Sequence, residues 1–140
     1  MNELGVRNCF LHRLGAKGDD RRGFLIALEG SRDVPFDIAR VYYIYGSPTE
    51  AARGFHAHRA LRQWLVCLNG CFSITLDDGV MREVVALSSP DNALEIGAAV
   101  WREMRASGPD AVLMVLASEL YDESDYIHDY DEFLELARNG

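Results

Sequence analysis

Arg53-Gly54-Phe55-His56-Ala57-His58-Arg59-Ala60-Leu61-Arg62-Gln63-Trp64-Leu65-Val66-Cys67-Leu68-Asn69-Gly70 is the stretch on which the fold turns. Its first part sets two imidazoles two residues apart in a run that reads as a β-strand. Its last part, Gln63 to Leu68, is an apolar strand that runs into Asn69-Gly70, a tight-turn pair. On a strand, residues i and i+2 share a face, roughly 7 Å apart. Both rings are therefore expected to project into one cavity. Such a pair suits a metal chelate or two acid/base groups serving adjacent carbons of one substrate.

Outward from this stretch, strand signals dominate. Gly23–Glu29 is a short apolar run closed by Gly30, and Ala39–Tyr45 is rich in β-branched and aromatic residues and stops at Gly46-Ser47-Pro48. Cys71–Leu76 alternates before the hairpin signal Asp77-Asp78-Gly79, and Val80–Leu87 follows, ended by Ser88-Ser89-Pro90. Ala93–Ile96, Val100–Met104 and Ala111–Ser118 supply three more. Short strands separated by turn signals at intervals of about 8–12 residues predict an all-β sandwich or barrel. Only the tail reads as helical: apolar positions 126, 127, 130, 133, 134 and 137 follow a helical period and predict a helix over 126–137.

Bulk composition narrows the function. A chain of 140 residues with 49% hydrophobic and 26% charged residues reads as one soluble domain with a real core. No apolar run approaches the roughly 20 residues that span a bilayer, and the first residues lack a signal-peptide layout, so no membrane contact is expected. Cys9, Cys67 and Cys71 cannot all pair and form no CxxC, which fits reduced thiols in a cytoplasmic protein. A net charge of −8 argues against nucleic acid as a partner. It leaves room for an anionic small molecule, because Arg53, Arg59 and Arg62 gather near the histidines while much of the acid lies in the last quarter.

His56-x-His58-x4-Gln63-x6-Gly70 resembles the first cupin motif, a histidine pair followed by a glutamate and a turn glycine. The cupin fold is a double-stranded β-helix, or jelly roll, with the site at its mouth. A second cupin motif would offer another histidine where this chain has Arg102. With Gln63 in place of the carboxylate and a guanidinium that cannot ligate, the donor set is poor for a divalent ion, and no metal is expected. The phrases Arg40-Val41-Tyr42-Tyr43-Ile44, Arg53–His58, Leu65–Gly70, Leu116-Ala117-Ser118 and Tyr121–Ile127, in that order, resemble the dTDP-4-keto-6-deoxyglucose 3,4-ketoisomerases. Those enzymes make 3-amino-3,6-dideoxysugars for bacterial surface glycans, lipopolysaccharide O-antigen among them, and for antibiotics. The likeness covers residues 22 to 134.

The resemblance implies a cytoplasmic isomerase that moves a ketone from C4 to C3 of a dTDP-linked 4-keto-6-deoxyhexose through an enediolate. No cofactor is implied. The chemistry needs a base near neutrality, a proton donor and positive charge. By resemblance His56 abstracts the C3 proton, His58 shares the proton transfer and Tyr42 donates a hydroxyl. Arg22, Arg40, Gln63 and Arg102 are implied as substrate-binding residues. The Arg22/Arg102 pair mixes gluco-type and galacto-type patterns, so the configuration at C4 stays open. A homodimer is implied, with the segment 1–22 as the part that crosses between subunits. A nucleotide-sugar-binding cupin without activity, a cupin 3,5-epimerase and a metal-dependent cupin oxygenase are the alternatives.

Other residues read more plainly. Tyr43 and Tyr45 are strand aromatics, Arg53 sits in the turn before the histidine strand, and Arg59 and Arg62 are solvated charges, either of which could reach a pyrophosphate. Trp64 and Trp101 are core or interface, Cys67 and Cys71 are packing residues, and His12 and His128 lie on the surface.

Overall fold

Alternating burial along the strands sorts the chain into two facing sheets. The computed structural model describes residues 2–139. In chain order the elements are β1 (Asn2–Glu3), β2 (Cys9–Arg13), β3 (Lys17–Asp19), β4 (Gly23–Leu25), β5 (Arg40–Ile44), β6 (Ala52–His58), β7 (Gln63–Asn69), β8 (Phe72–Asp77), β9 (Arg82–Leu87), β10 (Asn92–Ile96), β11 (Trp101–Ala106), β12 (Val112–Ala117), β13 (Tyr126–Ile127) and α1 (Tyr130–Asn139). One sheet runs β1-β2-β10-β7-β12-β5, the other β13-β6-β11-β8-β9, and β3-β4 stand apart as a hairpin. This is the all-β barrel that the strand spacing predicts, in the cupin-type jelly-roll form that the resemblance implies.

The inner faces carry the core. Leu65 and Cys67 of β7, Leu94 and Ile96 of β10, and Leu113 and Val115 of β12 meet Phe72, Ile74 and Leu76 of β8. A fully buried Leu or Phe is worth about 1.5–3 kcal/mol, so this layer alone is the main drive for closing the sheets. Trp64 and Val66 point the other way, where the loop residues Val34 and Phe36 cover them. That cover explains why β7 reads as an unbroken apolar run: both of its faces are buried. Helix α1 lays Phe133 and Ala137 on Ala57 and Trp101, on the outside of the second sheet. The β7–β8 turn uses Gly70 at φ 69°, where a Cβ would also stand 2.9 Å from the Cα of Ala111.

Several expectations shift. The helix starts at Tyr130, because Tyr126 and Ile127 pair with His58 and Ala57 as strand β13. The Asp129 side chain accepts from the Glu132 N–H at 3.1 Å and caps that later start. Of the run Gly23–Glu29 only Gly23–Leu25 is strand, and it is exposed on both faces; Leu28 instead packs in the loop layer over Trp64. Strand β2 carries no signal in the sequence; its five residues pair with β10 of the same chain from Cys9↔Ile96 to Arg13↔Asn92. Among the described residues no helix is long and apolar enough to cross a membrane.

Candidate active site

Strand β6 aims the histidines. Ala57 turns outward under α1, so His56 and His58 turn inward. Just before them the ladder slips: Arg102 faces His56, Glu103 faces Gly54, and Phe55 is left over as a bulge. Gly54 has φ 93° and Phe55 φ 58°, an unusual region for an aromatic residue. Gly54 is needed for a second reason, since a Cβ there would sit 2.8 Å from the carbonyl oxygen of Arg102. The freed Gly54 carbonyl lies 3.1 Å from His56 Nδ1. A carbonyl only accepts, so Nδ1 carries the hydrogen and Nε2 keeps its lone pair.

Opposite the histidines lies a directed hydrogen-bond chain. Arg102 is the largest fully buried side chain, and its Nε and Nη2 donate to the Val100 carbonyl. Its Nη1 donates to Gln63 Oε1 at 2.6 Å, and Gln63 Nε2 donates to the Tyr42 oxygen at 3.0 Å. Because a guanidinium can only donate, the Gln63 amide has one allowed orientation. Tyr42 is therefore the acceptor, and its own O–H is left to point at the cavity. Burial pushes the Tyr42 phenol up, so it stays protonated at neutral pH. Burial also pulls Arg102 down to about 10, which leaves it charged.

Both histidines are neutral at pH 7. Burial first, and Arg102 second, lower His56 to about 4 and His58 to about 2. The 3.1 Å contact between His58 Nδ1 and Asp125 Oδ2 is thus a hydrogen bond from a neutral ring to a carboxylate, not a full ion pair. His58 Nε2 is buried with no partner, as is Arg40 Nε, whose guanidinium lies over the rings of Tyr42 and Tyr121 at 5.3 and 5.7 Å.

The expectation that both rings open into one cavity is corrected. His56 lines a cavity of about 640 Å³ together with Arg40, Tyr42, Gln63 and Arg102, whereas His58 lines a neighbouring one of about 560 Å³. Tyr126 divides the two, its ring 4.9 Å from His56 and 4.3 Å from His58. It reaches that place because β13 pairs Tyr126 directly with His58. The two imidazoles stay edge to face at 4.9 Å.

So six of the seven singled-out residues gather on either side of Tyr126: Arg40, Tyr42, His56, Gln63 and Arg102 line the larger cavity, and His58 lines the neighbouring one. Arg22 does not. It is exposed in the β3–β4 turn, where its N–H bonds to Asp19, and it lines no part of its own chain's cavity. Arg53 lies on β6 rather than in a turn, and lines the larger cavity. Arg59 pairs with Glu132, and Arg62 pairs with Glu95 and covers Phe36, both away from that cavity. His12 is not a surface residue: it is half-buried, stacks on Trp64 at 4.4 Å and bonds to Glu95. His128 is exposed as expected, yet its ring stacks on Tyr126 at 5.4 Å. Burial pushes the Cys9 thiol up to about 12 and Cys67 upward, which fits packing roles. Sequence reasoning missed Asp125 and Tyr126. The one signal was their position inside the phrase Tyr121–Ile127.

A divalent ion does not suit this donor set. The Gln63 oxygen already accepts from Arg102, Gln63 turns its N–H outward, and an unpaired guanidinium cation stands in the same wall. Among the described residues no cluster of three His, Cys, Asp or Glu side chains forms.

A cupin-type barrel whose mouth holds two neutral imidazoles, a phenol and a buried guanidinium in place of a full metal set is the class that this fold and this geometry define. Comparison with known proteins then narrows it. The family described as FdtA (WxcM-like, C-terminal) matches residues 7–138, and the chain belongs to that family. It is 52% identical over 114 residues to the TDP-4-oxo-6-deoxy-alpha-D-glucose-3,4-oxoisomerase of Aneurinibacillus thermoaerophilus, covering 81% of this chain and 82% of that one. A histidine-to-asparagine mutant of a 3,4-ketoisomerase from Thermoanaerobacterium thermosaccharolyticum, solved with TDP-4-keto-6-deoxyglucose, superposes with a TM-score of 0.92 at 41% identity, covering 96% of each chain. The TDP-quinovose 3,4-ketoisomerase of Campylobacter jejuni gives 0.88 at 46% identity, covering 93% of this chain and 99% of that one.

Proposed function

We propose that the chain is a sugar-nucleotide 3,4-ketoisomerase acting on a TDP-linked 4-keto-6-deoxyhexose. The observation that carries this reading is a bare imidazole lone pair on His56 and a free Tyr42 hydroxyl lining the same cavity, with a fixed cation behind the hydroxyl. The relatives supply the substrate class, and the geometry supports the roles.

The steps balance without a redox partner. His56 Nε2 takes the C3 proton, which is acidic because it lies α to the C4 ketone. The C–H electron pair becomes the C3–C4 double bond of an enediolate, with the negative charge on O4. Tyr42 and, through Gln63, the charge of Arg102 stabilise that oxygen. The O3 hydroxyl proton passes to O4, which moves the charge to O3; the proton held on the histidine returns to C4, and the O3 electron pair closes the C3 ketone. His58 shares this proton traffic beside His56.

A base held at about 4 is weak in the empty cavity. A diphosphate brings about two negative charges into this wall, which offset in part the Arg102 field that, after burial, depresses His56, and so raises the base on binding. Arg53 and Arg40 are the cations positioned to meet it. Arg22 requires a second subunit. Its hairpin carries Phe24 and Leu25, 65% and 61% exposed, and the edge strand β5 beside the cavity exposes Val41 and Tyr43, with Tyr45 just beyond its end. An uncovered edge with apolar residues is a pairing surface. A homodimer in which the hairpin before Gly30 crosses to the partner covers both and delivers Arg22.

The test is incubation of the purified protein with TDP-4-keto-6-deoxyglucose in D2O. Formation of the 3-keto sugar with solvent hydrogen at C3 or C4 supports isomerisation. Binding with no exchange indicates a carrier, and deuterium at C5 a 3,5-epimerase. His56→Asn is expected to abolish turnover and keep nucleotide binding.

A further inference from the structure

Asp125 has no place in the proton transfers above, yet it is the best-anchored acid near them. It closes the short turn Glu123–Asp125, which the Asp122 side chain caps by accepting from Ser124 N–H. Its own carbonyl accepts from Arg59 N–H at 2.9 Å. Its Oδ1 accepts from Ala60 N–H at 2.8 Å, and its Oδ2 from Leu61 N–H at 3.3 Å. Three bonds thus tie Asp125 to the three residues that directly follow His58. The remaining capacity of Oδ2 is spent on His58 Nδ1 at 3.1 Å.

We propose that Asp125 is a positioning residue: it locks His58 as the Nδ1–H tautomer, so that Nε2 stays an open acceptor beside His56. Two independent features support the assignment. His58 is 1% exposed, and its Nε2 is the ring atom left without a partner. A buried ring nitrogen that faces no acceptor is better left without a hydrogen, because an unpaired buried donor costs about 1–3 kcal/mol, and this favours the hydrogen on Nδ1. Second, the ring is pinned from the far side by Tyr126, the residue next to Asp125, at 4.3 Å. Turn and strand together fix both the proton and the plane of one imidazole. Its kinetic consequence rests on the isomerase reading; its tautomeric consequence does not.

Asp125→Asn separates the two. Ala60 and Leu61 present two N–H donors, and an amide has a single oxygen to answer them. The shorter bond, from Ala60 N–H at 2.8 Å, keeps the amide oxygen at the Oδ1 place, so the nitrogen takes the Oδ2 place, faces His58 Nδ1 and forces the hydrogen onto Nε2. Long-range 1H–15N correlation on protein labelled at histidine reads this without substrate. Wild type is expected to show His58 protonated at Nδ1 and bare at Nε2, and Asp125→Asn the reverse. With substrate, kcat should fall about 10²- to 10⁴-fold while KM moves less than about threefold. Asp122→Ala loosens the same turn and should keep both the tautomer and a kcat within about threefold. An Nε2–H tautomer in wild type overturns the proposal before any variant is made. So does a kcat for Asp125→Asn within about threefold of wild type, or an equal loss in Asp122→Ala. If wild type has the expected tautomer but does not turn over, the isomerase reading falls and the positioning role stands.

Discussion

Gln63→Glu is a one-atom change that tests the hydrogen-bond chain at its centre. In the native chain Gln63 accepts from Arg102 at 2.6 Å and donates to Tyr42 at 3.0 Å, which leaves the Tyr42 hydrogen facing the cavity. A carboxylate has nothing to donate. Tyr42 must turn its hydrogen inward to avoid two oxygens in contact at that distance, and the cavity loses a donor. One donor aimed at a developing oxyanion is worth about 2.7–4 kcal/mol, so kcat should fall about 10²- to 10³-fold. Stability should barely move. Arg102 and the introduced carboxylate would attract by about 6 kcal/mol at an effective dielectric of about 20, but burying the carboxylate costs several kcal/mol in return. The new charge also cancels the Arg102 field, the second cause that holds His56 at about 4. The acidic limb of kcat/KM, where the free base becomes protonated, should therefore move to higher pH. Initial rates by NMR across pH, beside a melting curve, read all three. A kcat within a few-fold of wild type, or an acidic limb that moves downward, would refute the chain as drawn.

Three further outcomes follow from the same geometry. His56 and His58 bind protons more weakly folded, at about 4 and about 2, than at their ordinary 6.5, so their contribution to stability is complete above pH 6.5 and is lost as pH falls through those values. Urea midpoints between pH 7 and 4 should drop less in His58→Gln than in wild type, and equal slopes would rule the histidines out as the cause. Gly54→Ala places a Cβ 2.8 Å from the Arg102 carbonyl at φ 93°, and should cost at least about 1–3 kcal/mol in calorimetry as well as most of the activity; an unchanged melting temperature would mean that the bulge relaxes freely. If Arg22 serves a partner's cavity, mixing inactive Arg22→Ala with inactive His56→Asn should restore about a quarter of the wild-type rate, because random pairing makes half the dimers hybrids with one intact site each; no recovery after subunit exchange would place Arg22 outside catalysis.

The barrel was legible because its strands are short, apolar and punctuated by turns whose residues have few other uses, Asn69-Gly70 above all. Arg40 and Tyr42, and His56 and His58, were legible as i, i+2 pairs on one strand face each, whereas Gln63 of β7 and Arg102 of β11 were legible only through the likeness to the cupin motifs. What escaped depends on partners distant in sequence. Strand β2 lacks alternation and takes its form from β10. Tyr126 and Ile127 fit a helical period, but β6 claims their backbone groups first. The split of the cavity follows from that same pairing, which no pattern within β6 announces. The bulge at Phe55 is likewise visible only in the ladder with β11.

Arg102 explains why these departures belong together. A buried guanidinium whose hydrogen bonds go to a carbonyl and an amide, with no carboxylate, is costly to hold. Its value lies in what the same charge does in two directions. Through Gln63 it turns the Tyr42 hydroxyl toward the cavity, and across the cavity it helps to keep both histidines unprotonated. A metal in that wall would engage the histidine lone pairs; the arginine leaves them free. It also leaves a positive charge in the wall, which the proposed mechanism uses when the enediolate forms. On the proposed reading, a guanidinium where a cupin would hold a ligand leaves His56 as a base and His58 as its partner, with the Gly54 carbonyl and the Asp125 carboxylate each facing the Nδ1 of one ring.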